Sequence, residues 1–178
     1  MAREREIVVF CSASGEIDPK FNQAARDAVR MACSLGYTIV SGGTIRGTMG
    51  VVSDEVVKVG GRHIGVLPRF MREYAYPSLT ETVWTDTMAA RKERMREGTA
   101  AALALPGGIG TLDELIETLT LAKLNLYDGK IFALNIGGFY DALKALLDHY
   151  VDTGMLDAPS RALISFPETV EELAGLLK

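Results

Sequence analysis

Short apolar runs alternate with longer helical patterns along the whole chain, and this alternation constrains the fold more than any other feature. Most of these runs are apolar throughout instead of at every second residue, which is typical of strands buried on both faces of a parallel sheet. The seven candidate strands are Ile7–Cys11, Tyr37–Val40, His63–Leu67, Thr82–Thr85, Ala100–Leu105, Ile131–Leu134 and, more weakly, Ala162–Ser165. The alternation predicts the α/β class, with a doubly wound, mostly parallel sheet and helices on both faces.

The segments between the candidate strands carry helix signals. Asp18 and Pro19 are the residue types of an N-cap and a first helical position, and Gly36 is that of a stop. Apolar residues mark three helical faces, one from Phe21 to Leu35, one formed by Leu112, Leu115, Ile116, Leu119 and Leu126, and one formed by Phe139, Leu143, Leu146, Leu147 and Tyr150. No long linker divides the 178 residues, so we expect one domain over residues 1–178.

The charge and the reactive side chains of the chain exclude several functions. With 19 Lys and Arg against 23 Asp and Glu, the net charge of −4 argues against a protein that binds nucleic acid through a broad basic face. Two Cys and two His are too few for a Cys/His zinc site, so we expect no metal. They also leave little room for a Ser-His-Asp or Cys-His apparatus. Any chemistry is therefore expected to depend on carboxylates, Arg, Lys and backbone groups.

The same survey bears on the location of the protein. No apolar run approaches the ~18 residues of a membrane span. The start, MAREREIVVFC, lacks the apolar stretch and the cleavage site of a signal peptide. We expect a cytoplasmic protein that does not bind membranes.

Two junctions between a strand and a helix are rich in glycine. The first, SGGTIRGTMG, spans residues 41–50, and the second, PGGIGT, spans residues 106–111. Neither matches the dinucleotide-binding fingerprint or the P-loop, which disfavours NAD-dependent redox chemistry and NTP hydrolysis. Glycines still let a backbone approach a ligand closely, and amides at a helix start attract anions. The glycines either only permit tight turns or form an anion or nucleotide site at one crevice, and two such loops favour the site.

Four charged residues occupy unusual places near the second loop. Arg91 and Lys92 share a helical face with two methionines, where cations either extend to solvent or point into a pocket. Their place before the strand that leads to PGGIGT favours the pocket. Asp113 and Glu114 follow PGGIGT and point about 100° apart on a helix, so only one of them faces the crevice easily. We expect the helix dipole to keep that carboxylate ionised.

These motifs together resemble the LONELY GUY (LOG) family. The resemblance rests on M-x-x-R-K-x-x-M at residues 88–95 and on P-G-G-x-G-T-x-x-E at residues 106–114, with Arg91 and Glu114 separated by 23 positions. It extends through VVFCSASG, GGTIRGTMG, HIGVLP and FYDALKALLDHYVDTGML, and so covers nearly the whole chain.

The resemblance implies a Rossmann-like fold, a homodimer, and hydrolysis of the N-glycosidic bond of a cytokinin riboside 5′-monophosphate. The products are the free base and ribose 5-phosphate, and no cofactor is needed. The essential Arg and Glu of the family correspond to Arg91 and Glu114. Its substrate-binding residues correspond to Glu73, Arg91, Lys92, Gly107, Gly108, Ile109, Gly110, Thr111 and Thr120.

Two other functions use the same residues. One is a broader nucleosidase acting on AMP or other purine nucleoside monophosphates, because Ile109 and Leu121 stand where many plant members have Tyr and Trp. The other is a nucleotide-binding module without turnover, which the paired Arg91 and Glu114 disfavour. Lysine decarboxylation, an older label of the family, requires pyridoxal phosphate on a lysine and is rejected.

Overall fold

A computed structural model describes residues 5–178 of the chain as seven strands in one sheet. The strands are β1 (Arg5–Phe10), β2 (Tyr37–Ser41), β3 (His63–Pro68), β4 (Glu81–Thr85), β5 (Ala101–Ala104), β6 (Lys130–Ala133) and β7 (Ile164–Ser165). The helices are α1 (Pro19–Ser34), α2 (Gly47–Lys58), α3 (Met88–Arg96), α4 (Ile109–Lys123), α5 (Asp141–Asp152), α6 (Ala158–Arg161) and α7 (Val170–Leu177). Two short 3-10 turns lie at Arg69–Tyr74 and Ile136–Gly138.

Every strand pair in the sheet is parallel, and the strand order is β4-β3-β2-β1-β5-β6-β7. All seven predicted strands are confirmed, with shifts at their ends. The chain first winds outward from β1 to β4 and then crosses back to β5 on the other side of β1. This reversal makes the fold doubly wound and Rossmann-like, as expected, and places the ligand crevice at the carboxyl ends of β1 and β5.

The two faces of the sheet are covered by different helices. In the central strand β1, Ile7 and Val9 pack into one core cluster with residues of α1, α2 and α7. Val8 and Phe10 point the other way and pack with Met95 of α3. Farther along the same side, residues of β5 and β6 pack with α4 and α5. Helices on both faces explain why the strand sequences are apolar without alternation.

The predicted start and end of α1 are confirmed. The Asp18 carboxylate accepts a hydrogen bond from the amide of Lys20 at 3.0 Å, and Pro19 opens the helix. Gly36 follows the helix with φ +82°, a conformation that favours glycine.

Two details of the predicted helices are wrong. The helix α4 ends at Lys123 because Asn125 adopts φ 58°, so Leu126 lies outside the helix and is exposed instead of extending its buried face. Gly47 and Gly50 belong to α2 and not to the loop before it. A Cβ on Gly50 would lie 2.6 Å from the Ile45 carbonyl oxygen, which explains the glycine in the first turn of this helix.

Among residues 5–178, the structure contains no helix that is both long enough and apolar enough to cross a membrane.

Candidate active site

A cavity of about 370 Å³ opens at the carboxyl ends of β1 and β5, where the strand order reverses. Its wall is built from the loop after β1, from Gly42 after β2, from Arg91 on α3 and from the start of α4. Both glycine-rich junctions therefore contribute to one crevice, as predicted from the sequence.

The start of α4 presents backbone amides to this cavity. The first backbone hydrogen bond of the helix runs from the amide of Leu112 to the carbonyl of Gly108 at 3.1 Å. The amides of Ile109, Gly110 and Thr111 precede it and have no carbonyl one turn back within the helix. These amides, with the positive end of the helix dipole behind them, form a site suited to a phosphate.

The hydroxyl of Thr111 strengthens this assignment. Thr111 lines the cavity and is 3% exposed, and its Oγ1 has no hydrogen-bond partner among the described residues. A buried hydroxyl without a partner costs free energy unless a ligand or water satisfies it. Gly107 lies directly behind this side chain, because a Cβ at position 107 would overlap Thr111 Oγ1.

Arg91 points into the cavity and not to solvent. The residue is 6% exposed, and α3, which carries it, is capped by the Thr87 hydroxyl. The guanidinium donates from Nε to the carbonyl of Val66 at 2.9 Å and from Nη2 to the carbonyl of Gly42 at 3.2 Å. Burial lowers the pKa of Arg91, and the carboxylate of Glu114 opposes that change. Two carbonyls thus fix the orientation of the guanidinium and leave other N–H groups for a ligand.

Glu114 lines the same cavity, and its environment corrects one expectation. Burial raises the pKa of Glu114 to about 7, although the charge of Arg91 acts in the opposite direction. The helix dipole was expected to keep this carboxylate ionised, but the loss of hydration outweighs it. Asp113 points away, as predicted, and accepts a hydrogen bond from Lys92 at 2.9 Å.

The structure brings together six of the predicted site residues and leaves four outside. Arg91, Gly108, Ile109, Gly110, Thr111 and Glu114 line the cavity. Gly107, Lys92, Glu73 and Thr120 do not. Lys92 forms ion pairs with Asp113 and Glu117, Glu73 is exposed in the 3-10 turn Arg69–Tyr74, and Thr120 lies on the outer side of α4.

Sequence reasoning missed the loop after β1. Ser12 and Ser14 line the cavity, and the Ser12 hydroxyl accepts a hydrogen bond from the amide of Ser14 at 3.0 Å. The run CSASG of small residues after the first strand was the available signal. This run indicates a binding loop only when β1 is known to lie beside the point where the strand order reverses. Met49 and Met71 also line the cavity. Both lie in segments for which the sequence predicted site residues, the first glycine-rich junction and the stretch around Glu73, but neither methionine was itself predicted.

Comparison with known proteins identifies the family of the chain. A family model described as "Possible lysine decarboxylase" matches residues 49–177. The cytokinin riboside 5′-monophosphate phosphoribohydrolase LOG2 of Arabidopsis thaliana is 34% identical over 180 residues, which cover 99% of this chain and 84% of LOG2. LOG3 of the same plant is 36% identical over 177 residues, which cover 98% of this chain and 82% of LOG3. The chain belongs to the LOG family.

Solved structures support the fold of this LOG-family protein. A molybdenum cofactor binding protein from Rippkaea orientalis superposes with a TM-score of 0.75 at 20% sequence identity. The superposition covers 99% of this chain and 97% of the Rippkaea chain. The molybdenum cofactor carrier protein of Chlamydomonas reinhardtii gives a TM-score of 0.76 at 18% sequence identity, and the superposition covers 98% of this chain and 96% of the carrier protein. At this identity the likeness concerns the fold alone.

Pyridoxal phosphate, which the name lysine decarboxylase implies, does not fit this cavity. None of the described residues that line it is a lysine. The nearby Lys92 is paired with Asp113 and Glu117, and hydrogen bonds to Glu117 and Asp113 raise its pKa. A Schiff base requires a neutral amine that faces the cofactor, and Lys92 offers neither property.

Proposed function

We propose that this LOG-family protein hydrolyses the N-glycosidic bond of a nucleoside 5′-monophosphate and releases the free base and ribose 5-phosphate. The observation that carries the proposal is the placement of Arg91 and Glu114 in one cavity with the amino end of α4. Such a cavity offers a phosphate site, a cation and a carboxylate.

The phosphate end of the substrate fits the start of α4. The amides of Ile109, Gly110 and Thr111 and the free hydroxyl of Thr111 would hold the 5′-phosphate. This binding fixes the ribose against Glu114, which lies one turn farther into the helix. Binding energy from the phosphate is thereby used to orient the bond that breaks.

Glu114 would act at the ribose. Cleavage of the bond between C1′ and the base nitrogen builds positive charge on the sugar, as in glycoside hydrolysis. An ionised carboxylate stabilises this charge and orients the attacking water. Water supplies a hydroxyl to C1′ and a proton to the base, so the reaction needs no other reactant.

Arg91 would act at the phosphate or at the departing base. Its guanidinium, held by two carbonyls, stabilises negative charge that develops on either group. A guanidinium keeps its proton at physiological pH, which makes arginine a poor proton donor, so Arg91 serves as a fixed positive charge. Asp113 pairs with Lys92 and is removed from the candidates for the proton donor.

A panel of nucleotides tests the function and the base together. AMP, GMP, IMP, CMP and isopentenyladenosine monophosphate are incubated with the protein, and the free base is measured by chromatography. We expect base release from adenine nucleotides, with isopentenyladenosine monophosphate as the preferred substrate. Equal rates with AMP and other purines would support the broader nucleosidase. Binding without release from any nucleotide would support the module without turnover.

We also propose that the protein forms a homodimer through the outer side of α4. Ile109 and Leu112 are exposed on this side, and Leu124 and Leu126 are exposed just beyond the end of the helix. Ile109 also borders the cavity. Thr120, which the family resemblance implies in substrate binding, lies on the same side. The surface is therefore apolar and continuous with the site, which suits a second copy of the chain.

Sedimentation velocity tests the dimer. The wild type is expected to sediment as a dimer, and Leu112→Glu as a monomer because it places a charge in the apolar contact. Leu146→Glu, which changes a similarly exposed leucine on α5, is the matched control and should remain dimeric. A monomeric wild type, or equal dissociation of both variants, would contradict the proposed surface.

The cytoplasmic location of the protein, expected from the sequence, stays a prediction.

A further inference from the structure

One peptide group behind the cavity links Arg91 to the interior of the sheet. It joins Gly42 to Gly43, just after β2. Its carbonyl, on Gly42, accepts the hydrogen bond from Arg91 Nη2 at 3.2 Å. Its N–H, on Gly43, donates to the Ser41 hydroxyl at 3.1 Å. The two ends of this planar peptide therefore contact the Arg91 guanidinium and a buried serine.

Ser41 is held in turn by a buried histidine. The Ser41 hydroxyl and His63 Nε2 share a hydrogen bond of 2.7 Å, and the two residues are 0% and 1% exposed. His63 opens β3, and its amide donates to the Thr80 hydroxyl at 3.0 Å. Burial lowers the pKa of His63 to about 4, so the ring is neutral near pH 7. The hydrogen bonds thus run from His63 through Ser41 and the peptide to Arg91.

This peptide has no side chain to anchor it, because both of its residues are glycines and neither position tolerates a Cβ. A Cβ on Gly42 would overlap the Arg91 guanidinium and lie 2.8 Å from Met49 Sδ. Gly43 has φ +64°, and a Cβ there would lie 2.7 Å from the Gly65 Cα atom. A glycine pair is conformationally permissive, so its orientation depends on hydrogen bonds. Ser41 supplies the bond to the N–H of this peptide.

We propose that Ser41, supported by His63, is a positioning residue that aims Arg91 at the substrate through the Gly42–Gly43 peptide. The proposal rests on the proposed function, since it assigns Arg91 a role in turnover. Connected hydrogen bonds polarise one another, so loss of one bond weakens the next. Neither Ser41 nor His63 lines the cavity, and both act at a distance from the substrate.

Ser41→Ala deletes the hydroxyl and little else. We expect kcat to fall about three- to tenfold, the value of one net hydrogen bond, with KM within twofold of wild type. Ser41→Thr retains a hydroxyl and should restore most of kcat. Ser160→Ala is the matched control, since Ser160 is a buried, hydrogen-bonded serine on α6 and is absent from the cavity lining. Its kcat should equal that of wild type.

A double-mutant cycle separates positioning from general loss of structure. In an Arg91→Lys background the Gly42 bond from the guanidinium is already lost, so Ser41→Ala should lower kcat no further. A wild-type kcat in Ser41→Ala, or the same fold loss in both backgrounds, would overturn the proposal.

Substitutions of His63 test its support of Ser41. His63→Leu should lower kcat as much as Ser41→Ala does, while His63→Gln, which keeps a polar group near Ser41, should lower kcat less.

A second readout does not depend on turnover. The Nε–H of Arg91 gives its own signal in a ¹H–¹⁵N spectrum, and its exchange with water reports how firmly the guanidinium is held. We expect this exchange to be at least about threefold faster in Ser41→Ala than in wild type or Ser160→Ala. Unchanged exchange would overturn the positioning role. Faster exchange in a protein that cleaves no nucleotide would instead refute the proposed function and leave the positioning role intact.

Discussion

The buried carboxylate of Glu114 should make activity and stability depend on pH in opposite directions. Its pKa is raised from 4.5 to about 7, mainly by burial. At 1.36 kcal/mol per pKa unit, this change corresponds to roughly 3 kcal/mol between the two protonation states. In the proposed reaction the ionised form stabilises positive charge on the ribose, so activity should require the form that the folded protein disfavours.

For activity, kcat/KM should rise with pH and level off above pH 7. With a pKa of about 7, roughly a tenth of Glu114 is ionised at pH 6 and roughly nine tenths at pH 8, so we expect about a tenfold increase across this range. The second pKa of a nucleotide phosphate, near ~6, also titrates in this window. Equilibrium binding of the nucleotide to Glu114→Gln, which lacks the carboxyl group, isolates the contribution of the phosphate.

For stability, a carboxyl group with a raised pKa favours the folded state below pH 4.5, and this contribution is lost as the pH rises through 7. Glu114→Gln removes the cost of ionisation. The relevant quantity is the free energy of unfolding of the variant minus that of wild type. This difference should be up to about 3 kcal/mol more favourable to the variant at pH 8 than at pH 4.5. Urea unfolding at the two pH values measures this gain. An equal difference at both values, together with a rate profile that levels off near pH 5, would refute the reasoning.

Three further substitutions test single contacts of the site. Arg91→Ala removes the fixed positive charge, and steady-state kinetics should show a fall of about 100-fold or more in kcat/KM, whereas unchanged kinetics would exclude a catalytic role. Thr111→Val removes the unpartnered hydroxyl, and calorimetry should show about tenfold weaker nucleotide binding with no loss of thermal stability. Gly42→Ala forces a methyl group against Arg91 and should destabilise the fold by about 1–3 kcal/mol and lower kcat, whereas Gly175→Ala, on α7 with open space around it, should do neither.

The layout of the fold was predictable from the sequence because it depends on local patterns. The central strands are buried on both faces and mostly apolar, so they could be located before the structure was known. The edge strands β4 and β7 are more polar or very short, and they were located with less support from the pattern. Glycine after α1 and the Asp-Pro start of the same helix gave its limits. The end of α4 was misjudged because Asn125, whose positive φ ends the helix, is a residue type that helices also tolerate.

The site was only partly predictable because much of it depends on contacts between distant segments. Arg91 and the loop at residues 106–111 could be identified from their residue types and spacing. The carbonyls that hold Arg91 come from β3 and from Gly42 just after β2, and the partners of Lys92 come from α4, so no local pattern reveals them. The raised pKa of Glu114 also escaped prediction, since burial is a property of the folded cavity.

The most direct test of the account compares wild type with Glu114→Gln on isopentenyladenosine monophosphate, with product release and equilibrium binding measured on the same samples. We predict that the wild type forms free base and ribose 5-phosphate in equal amounts. Glu114→Gln should bind the nucleotide with an affinity within a few-fold of wild type. Its rate of product formation should be at least about 100-fold lower than that of wild type. Full turnover by Glu114→Gln, or tight binding by a wild type that forms no products, would contradict the account.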